Sequence, residues 1–295
     1  RIPGITEAQR QRIVDSITFL RTEFGEDSLA DWSASDHPMW TRFFRGRSAL
    51  QRLELAWFGA GLAVAKTWDG YAGFLQHLML PAHFEEGLTV LRAAEQFAHA
   101  RLRIDLDPNP DSRLKKPDFT AAEPGHSVVV EVSRVRISGH DEREFDRLLA
   151  ELLSRPLAGT GAIYVEASRS GASRRFRRKV HRESEQLDAT RPGVIVLDDD
   201  TALDAITVHR EVLAERLSAS LRDTAHVVGA IYSARWFHGS PPAEPHELPS
   251  KSAGTHVLRP WADWFCEYVL LIENPAAPAP ALFQRLRDGL MSHCA

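Results

Sequence analysis

The sequence predicts an α/β fold: a central mixed sheet flanked by helices, with a helical region ahead of it. Three observations predict this. Residues 6 to about 80 carry apolar side chains at helical spacing. From residue 81 on, short apolar, β-branched runs alternate with helical segments, the pattern of strands joined by crossovers. No flexible linker separates residues 80 and 81, so one unit is expected, with a helical N-terminal region over 1–80 and an α/β core with a closing strand and helix over 81–295.

Along the first region, Ile13, Ile17, Leu20 and Phe24 recur at helical spacing. Thr6 with Gln9 makes a capping box, and Gly25-Glu26-Asp27-Ser28 ends that helix. Trp32, Trp40, Phe43, Phe44, Trp57 and Trp68 read as core-building aromatics. In the second region Phe84 to Ala100 is a helix, Leu102 to Leu106 a short strand and Asp107 to Asp111 a loop. Pro117 to Ala121 and Ser127 to Val135 are two strands joined by a tight turn at Glu123-Pro124-Gly125, with glycine supplying positive φ. Then follow a helix over Glu142 to Leu153, a strand over Gly161 to Ala167, a helix over Ser173 to Leu187, and a strand over Gly193 to Leu197. A helix over Ala202 to Leu221, a strand over His226 to Ser233, a surface loop over residues 239–256, a strand over Glu267 to Ile272 and a helix over Ala281 to Leu290 complete the order. Strands separated by helices in this way imply a mixed or mostly parallel sheet covered on both faces.

Composition limits what the chain can be. With 295 residues, 43% hydrophobic and 26% charged, it has the make-up of a folded globular protein. A net charge of −4 excludes a protein that is basic all over, yet leaves room for a local basic groove. Cys266 and Cys294 form neither a disulfide framework nor a zinc motif, and a reducing cytoplasm fits them best. Arg1-Ile2-Pro3-Gly4 lacks the apolar stretch of a signal peptide. No apolar run approaches the ~20 residues of a membrane helix; Leu53 to Lys66 comes nearest, interrupted by Glu54 and Gly59.

One constellation carries chemistry. Side chains alternate along a strand, so Val128, Val130 and Val132 share one face, and Val129, Glu131 and Ser133 the other. Glu131 therefore emerges from a run of valines that ought to be buried, where an unpartnered carboxylate is costly. Asp118 lies 131 − 118 = 13 residues earlier, across the apparent hairpin, and pairing around the turn can bring it close to Glu131. Two converging carboxylates repel unless a cation lies between them. Mg²⁺ or Mn²⁺ suits oxygen ligands of this kind and can be held by one or two carboxylates plus substrate phosphate.

Pro117-Asp118, a turn, then Glu131-Val132 resembles the signature of the PD-(D/E)XK nuclease superfamily: Pro-Asp on one strand, then an acidic residue, any residue and lysine on the next. The order helix, strand, hairpin, helix, strand over roughly residues 82–200 is similar to that restriction-endonuclease-like core. The resemblance implies that Asp118 and Glu131 bind Mg²⁺ or Mn²⁺. It also implies a helix glutamate, by position Glu85 or Glu86, with Glu95 weaker because it falls near the helix end. It implies hydrolysis of DNA or RNA phosphodiesters, with defence against foreign nucleic acid as a role habitual in the family. Ser133 stands where the motif lysine belongs, and a hydroxyl cannot supply that charge. Either cleavage has been lost, leaving a nuclease-like module for nucleic-acid binding or assembly, or a cation reaches the site from elsewhere. Lys179 is the preferred substitute, with Gln186 seven residues on and about 20° around the helix, as in branches of the superfamily that place lysine and glutamine on this helix. Glu183 sits between them. Lys115 and Lys116 remain alternatives, whereas alternation points Arg134 and Arg136 away from Glu131.

The stretch from Arg169 to Arg182 holds Arg174, Arg175, Arg178 and Arg182, a density suited to phosphate contacts that give affinity without reading sequence; a solvated helix face balanced by Glu183 and Glu185 is the plainer alternative. A third reading is a protein-interaction domain, with the aromatic-rich N-terminal helices as the surface for a partner or a second copy. Asp198-Asp199-Asp200 reads as a polar turn capping the next helix, and His238, His246 and His256 as surface residues.

Overall fold

Thr6 caps the first helix from both sides: its hydroxyl accepts from the Gln9 backbone N–H at 3.2 Å, and the Gln9 side chain accepts from the Thr6 backbone N–H at 2.7 Å. The computed structural model describes residues 6–45, 49–106, 117–135, 172–187, 189–199, 210–237, 242–261 and 265–292. The loop Asp107 to Asp111, the helix Glu142 to Leu153, the strand Gly161 to Ala167, and Lys115, Lys116 and Arg136 lie outside them.

Helix α1 (Glu7–Phe24) stops at Gly25, whose φ of 79° is open to glycine and strained for other residues. The chain restarts at once as α2 (Glu26–Ala34), then α3 (Pro38–Trp40), which runs into a π-helical turn (Thr41–Arg45), α4 (Ala49–Ala65) and α5 (Tyr71–Leu78). Helix α6 (Phe84–His99) leads into the sheet. Its strands are β1 (Arg103–Asp105), β2 (Phe119–Glu123), β3 (His126–Val135), β4 (Gly193–Asp199), β5 (Val227–Phe237), β6 (His246–Glu247), β7 (Thr255–Trp261) and β8 (Phe265–Glu273). Helix α7 (Ala172–Ser184) precedes β4, α8 (Arg210–Leu221) precedes β5, and α9 (Pro280–Met291) closes the chain.

The eight strands lie in the order β1-β2-β3-β4-β5-β8-β7-β6. β3, β4 and β5 are parallel neighbours, and the remaining pairs are antiparallel, so the sheet is mixed. Its centre is covered on both sides. Val194 and Val196 of β4 face α6, α9 and the N-terminal helices; Ile195 and Leu197 face α7 and α8. That two-sided burial is why β4 reads as an unbroken apolar run. The first face is one continuous core in which Leu20, Phe43, Phe58 and Phe84 join Phe119, Val130 and Ile231, so the N-terminal helices dock on the sheet. Of the aromatics expected in the core, Trp32 and Phe43 are buried, and Trp40, Phe44, Trp57 and Trp68 pack against it. Among the described residues no helix is long and apolar enough to cross a membrane.

Three expectations are corrected. The segment 239–256 is not all loop: it contains β6 and the start of β7. Asp198 and Asp199 do not form a turn but complete β4, both buried. His256 is also buried, bonded through Nδ1 to the Tyr268 hydroxyl at 2.7 Å, whereas His246 is exposed as expected.

Helix α9 crosses the end of α6 at Gly289. A Cβ there would lie 2.6 Å from the Ala100 backbone nitrogen and 2.7 Å from its Cα. Backbone cannot yield as a side-chain tip can. Gly289→Ala is therefore expected to destabilise the fold by about 1–3 kcal/mol, read as a lower urea midpoint with the slope unchanged.

Candidate functional site

The β2–β3 hairpin sets the site's register. Glu123 pairs with His126 around the two-residue turn Pro124-Gly125, where Gly125 has φ 84°. From there Phe119 falls opposite Val130, so Asp118, one step further, comes opposite Glu131. The Val132 backbone N–H donates to Asp118 Oδ2 at 2.6 Å, which fixes that carboxylate across the strand end. A one-residue slip would turn Glu131 to the other face.

Glu131 is 7% exposed, and its Oε2 is buried with no hydrogen-bond partner. Two arginines are paired elsewhere: Arg103 with Asp69 at 2.5 Å, and Arg134 with Glu85 at 3.2 Å. Burial, and then the neighbouring charges of Asp118, Glu183 and Glu86, push the Glu131 carboxyl up to about 9, with Arg182 opposing. Burial pushes Asp118 up to about 7, against the pull of the Val132 N–H and with Glu86 and Glu183 adding to the rise. Without a cation the pair keeps protons at neutral pH that isolated carboxylates would have lost.

Helix α7 brings the remaining groups. Lys179 Nζ donates to Ser133 Oγ at 2.7 Å and to the Arg134 carbonyl. Ser133 Oγ in turn donates to Glu183 Oε1 at 2.9 Å. Glu183 is buried and also accepts from Arg182 and from Gln186 Nε2. The Lys179 ammonium thus lies against Ser133, two residues beyond Glu131 on β3. Glu183 had no role assigned from sequence; its spacing of four residues from Lys179 was the available signal.

An open cleft of about 440 Å³ joins these groups, lined by Glu86, Glu131, Ser133, Lys179, Glu183 and Gln186 among others. The two helix glutamates differ. Glu85 lines the cleft, but its carboxylate is held by Arg42 at 3.0 Å and by Arg134. Glu86 is more exposed, and its charge acts on both Asp118 and Glu131. Glu95 is elsewhere, half-buried and accepting from the Trp57 indole at 2.9 Å. Of the basic cluster, Arg178 and Arg182 are exposed; the side chains of Arg174 and Arg175 lie outside the described residues.

From the cleft an array of alternating charges runs beneath α6. Arg42 joins Glu85 to Glu54, and Arg92 joins Glu54 to Asp198 at 3.1 and 3.4 Å. Arg235 joins Asp198 to Glu267, each at 2.5 Å, and Arg259 ends the array on Glu267 at 2.5 Å.

The raised carboxyls carry a pH prediction. In the folded chain Asp118 and Glu131 hold protons over a range where unfolded carboxylates have released them. Stability therefore falls as pH rises from the ordinary carboxylate range, near 4, through about 9, and levels off above it. Chelator-treated protein is expected to lose urea resistance between pH 6 and pH 9, and Glu131→Gln to flatten that slope. An equally steep slope in the variant would count against the buried pair.

What the residues can hold follows from their chemistry. A buried carboxylate oxygen without a donor, beside a second carboxylate, fits a divalent cation with a preference for oxygen ligands. Set against family models, curated proteins and solved structures, the chain matches none.

Proposed function

We propose that this chain is a metal-dependent nuclease that hydrolyses phosphodiester bonds of DNA or RNA. The observation that carries the reading is the unpartnered Glu131 Oε2, buried across the hairpin from Asp118, with Glu131 lining an open cleft. Asp118 and Glu131 would hold Mg²⁺ or Mn²⁺, with Glu86 rather than Glu85 as the helix glutamate. Such an ion, when bound, supplies Lewis acidity to a phosphoryl oxygen and makes water a better nucleophile. Lys179 brings a positive charge to the edge of the pair, where it orients water or steadies charge on the phosphate. Ser133, Glu183 and Gln186 fix where that ammonium sits. Arg178 and Arg182, with Arg174 and Arg175 on the same helix, grip the nucleic-acid backbone.

A second reading has its own observation. Ser133 replaces the motif lysine, and Lys179 is already engaged by Ser133 and the Arg134 carbonyl. An ammonium so occupied suits a nuclease-like module that binds nucleic acid or assembles without cutting. Plasmid, single-stranded DNA and RNA, incubated with Mn²⁺ or with chelator, separate the two. Cutting that needs Mn²⁺, disappears in Asp118→Ala and falls at least ~10-fold in Lys179→Met supports the enzyme. Salt-sensitive binding without cutting supports the module. Neither cutting nor salt-sensitive binding removes nucleic acid as the ligand.

A further inference from the structure

At the junction of α5 and α6, two histidines that the carboxylate pair does not use converge on Glu86. His77 lies in the last turn of α5, His83 caps α6, and Glu86 lies in its first turn. One ligand atom from each lies within 4.8 Å of the others. The imidazole rings are 4.1 Å apart between centroids, tilted by 33°. His83 Nδ1 and Glu86 Oε2 are 3.4 Å apart. That is long for a hydrogen bond, and it matches the edge of about 3.3 Å of a tetrahedron whose bonds are about 2.0–2.1 Å.

The backbone holds the three in place. The Leu80 N–H donates to the His77 carbonyl at 3.1 Å, the His83 N–H to the Leu80 carbonyl at 2.9 Å, and the Gly87 N–H to the His83 carbonyl at 2.8 Å. Leu78, buried beside His77, packs where a Cβ on Gly87 would be: the gap to its Cδ1 would be 2.6 Å. The two helix ends are therefore locked at close approach by a glycine, while both histidines keep a path to solvent.

We propose that His77, His83 and Glu86 bind a zinc-class divalent transition-metal ion, at a site distinct from that of Asp118 and Glu131 and sharing only Glu86 with it. Two imidazole nitrogens and one carboxylate oxygen suit zinc or its late first-row neighbours and not Mg²⁺, which the all-carboxylate pair suits. Three protein ligands leave a fourth position for water or a ligand oxygen. Glu86 also lines the cleft, so the site adjoins it.

The test is zinc titration of the tag-free full chain against a chromophoric chelator, with millimolar Mg²⁺ present. One zinc per chain is expected, both in the native protein and in Asp118→Asn, which removes a ligand of the other site. His77→Ala and His83→Ala, checked for native circular dichroism, should each weaken zinc binding about 100-fold or more. Cobalt substituted for zinc should give visible absorption that His77→Ala abolishes. Zinc uptake that persists in both histidine variants, that vanishes in Asp118→Asn, or that never reaches one per chain overturns the proposal. None of these readouts depends on nucleic-acid cleavage.

Discussion

Glu131→Gln is expected to raise the melting temperature of the metal-free protein by a few degrees and to lower metal-dependent cleavage by ~10²–10³-fold, the scale of losing one electrostatic group at a reacting centre. Both effects have one origin. The Glu131 carboxylate is nearly out of contact with water, faces Asp118 and Glu183, and has an oxygen that nothing satisfies. Glutamine keeps the shape, needs no proton taken up on folding, and offers an N–H to a neighbouring carboxylate. The fold gains, and the site loses the charge that would hold the ion. A trade of this sign is what a functional carboxylate produces; one kept for structure alone gives the reverse. Calorimetry in chelator and a cleavage assay in Mn²⁺ measure the two sides. The native chain should also gain stability with Mn²⁺ concentration, and the variant should not. A lower melting temperature together with retained cutting would defeat the assignment.

The largest loss of stability is expected at Glu267→Ala, about 3–5 kcal/mol, because two buried guanidinium groups would be left without their shared carboxylate. Glu267 is fully buried, accepts from Arg259 Nε at 2.6 Å and from Gln96 at 3.1 Å, and pairs with Arg235. Burial alone would raise its carboxyl; the charges of Arg235 and Arg259 overcome that and hold it down at about 2. A depressed carboxyl stabilises the fold above the ordinary carboxylate range, and that stability is lost only as pH falls toward 2. Urea denaturation at neutral pH reads the first effect. Acid titration reads the second, as a native transition displaced to lower pH than in Glu267→Gln. A variant within about 1 kcal/mol of the native chain would show that the array contributes little.

Local pattern made the hairpin, the buried β4 and the carboxylate pair legible before any coordinates. Alternation along β3 and a turn with glycine at positive φ suffice to oppose Asp118 and Glu131. What escaped depended on partners distant in sequence. Asp198 and Asp199 looked like a polar turn because their partners, Arg92, Arg235 and Tyr232, lie far along the chain and meet them only in the folded sheet. β7 was hidden by Pro260 and by the Ser- and Gly-rich stretch before it; its place beside the two-residue β6 leaves a proline tolerable there. Glu183 was seen on the right helix face, but its burial against Ser133 is a fact of tertiary packing. Glu85 and Glu86 are equivalent by position, and what separates them is the pairing of Glu85 with Arg134 and with Arg42, from the N-terminal region.

The Arg42 contact makes the N-terminal helices part of the cleft's electrostatics as well as a cover for the sheet. Arg42 and Glu54 supply two consecutive links in a string of opposite charges that starts at the cleft and reaches β7. A fragment starting at residue 81 would be severed in mid-string, with Glu85 losing Arg42 and Arg92 losing Glu54. The polarity of the cleft therefore belongs to the whole polypeptide, and the first eighty residues cannot be trimmed away as a detachable appendage.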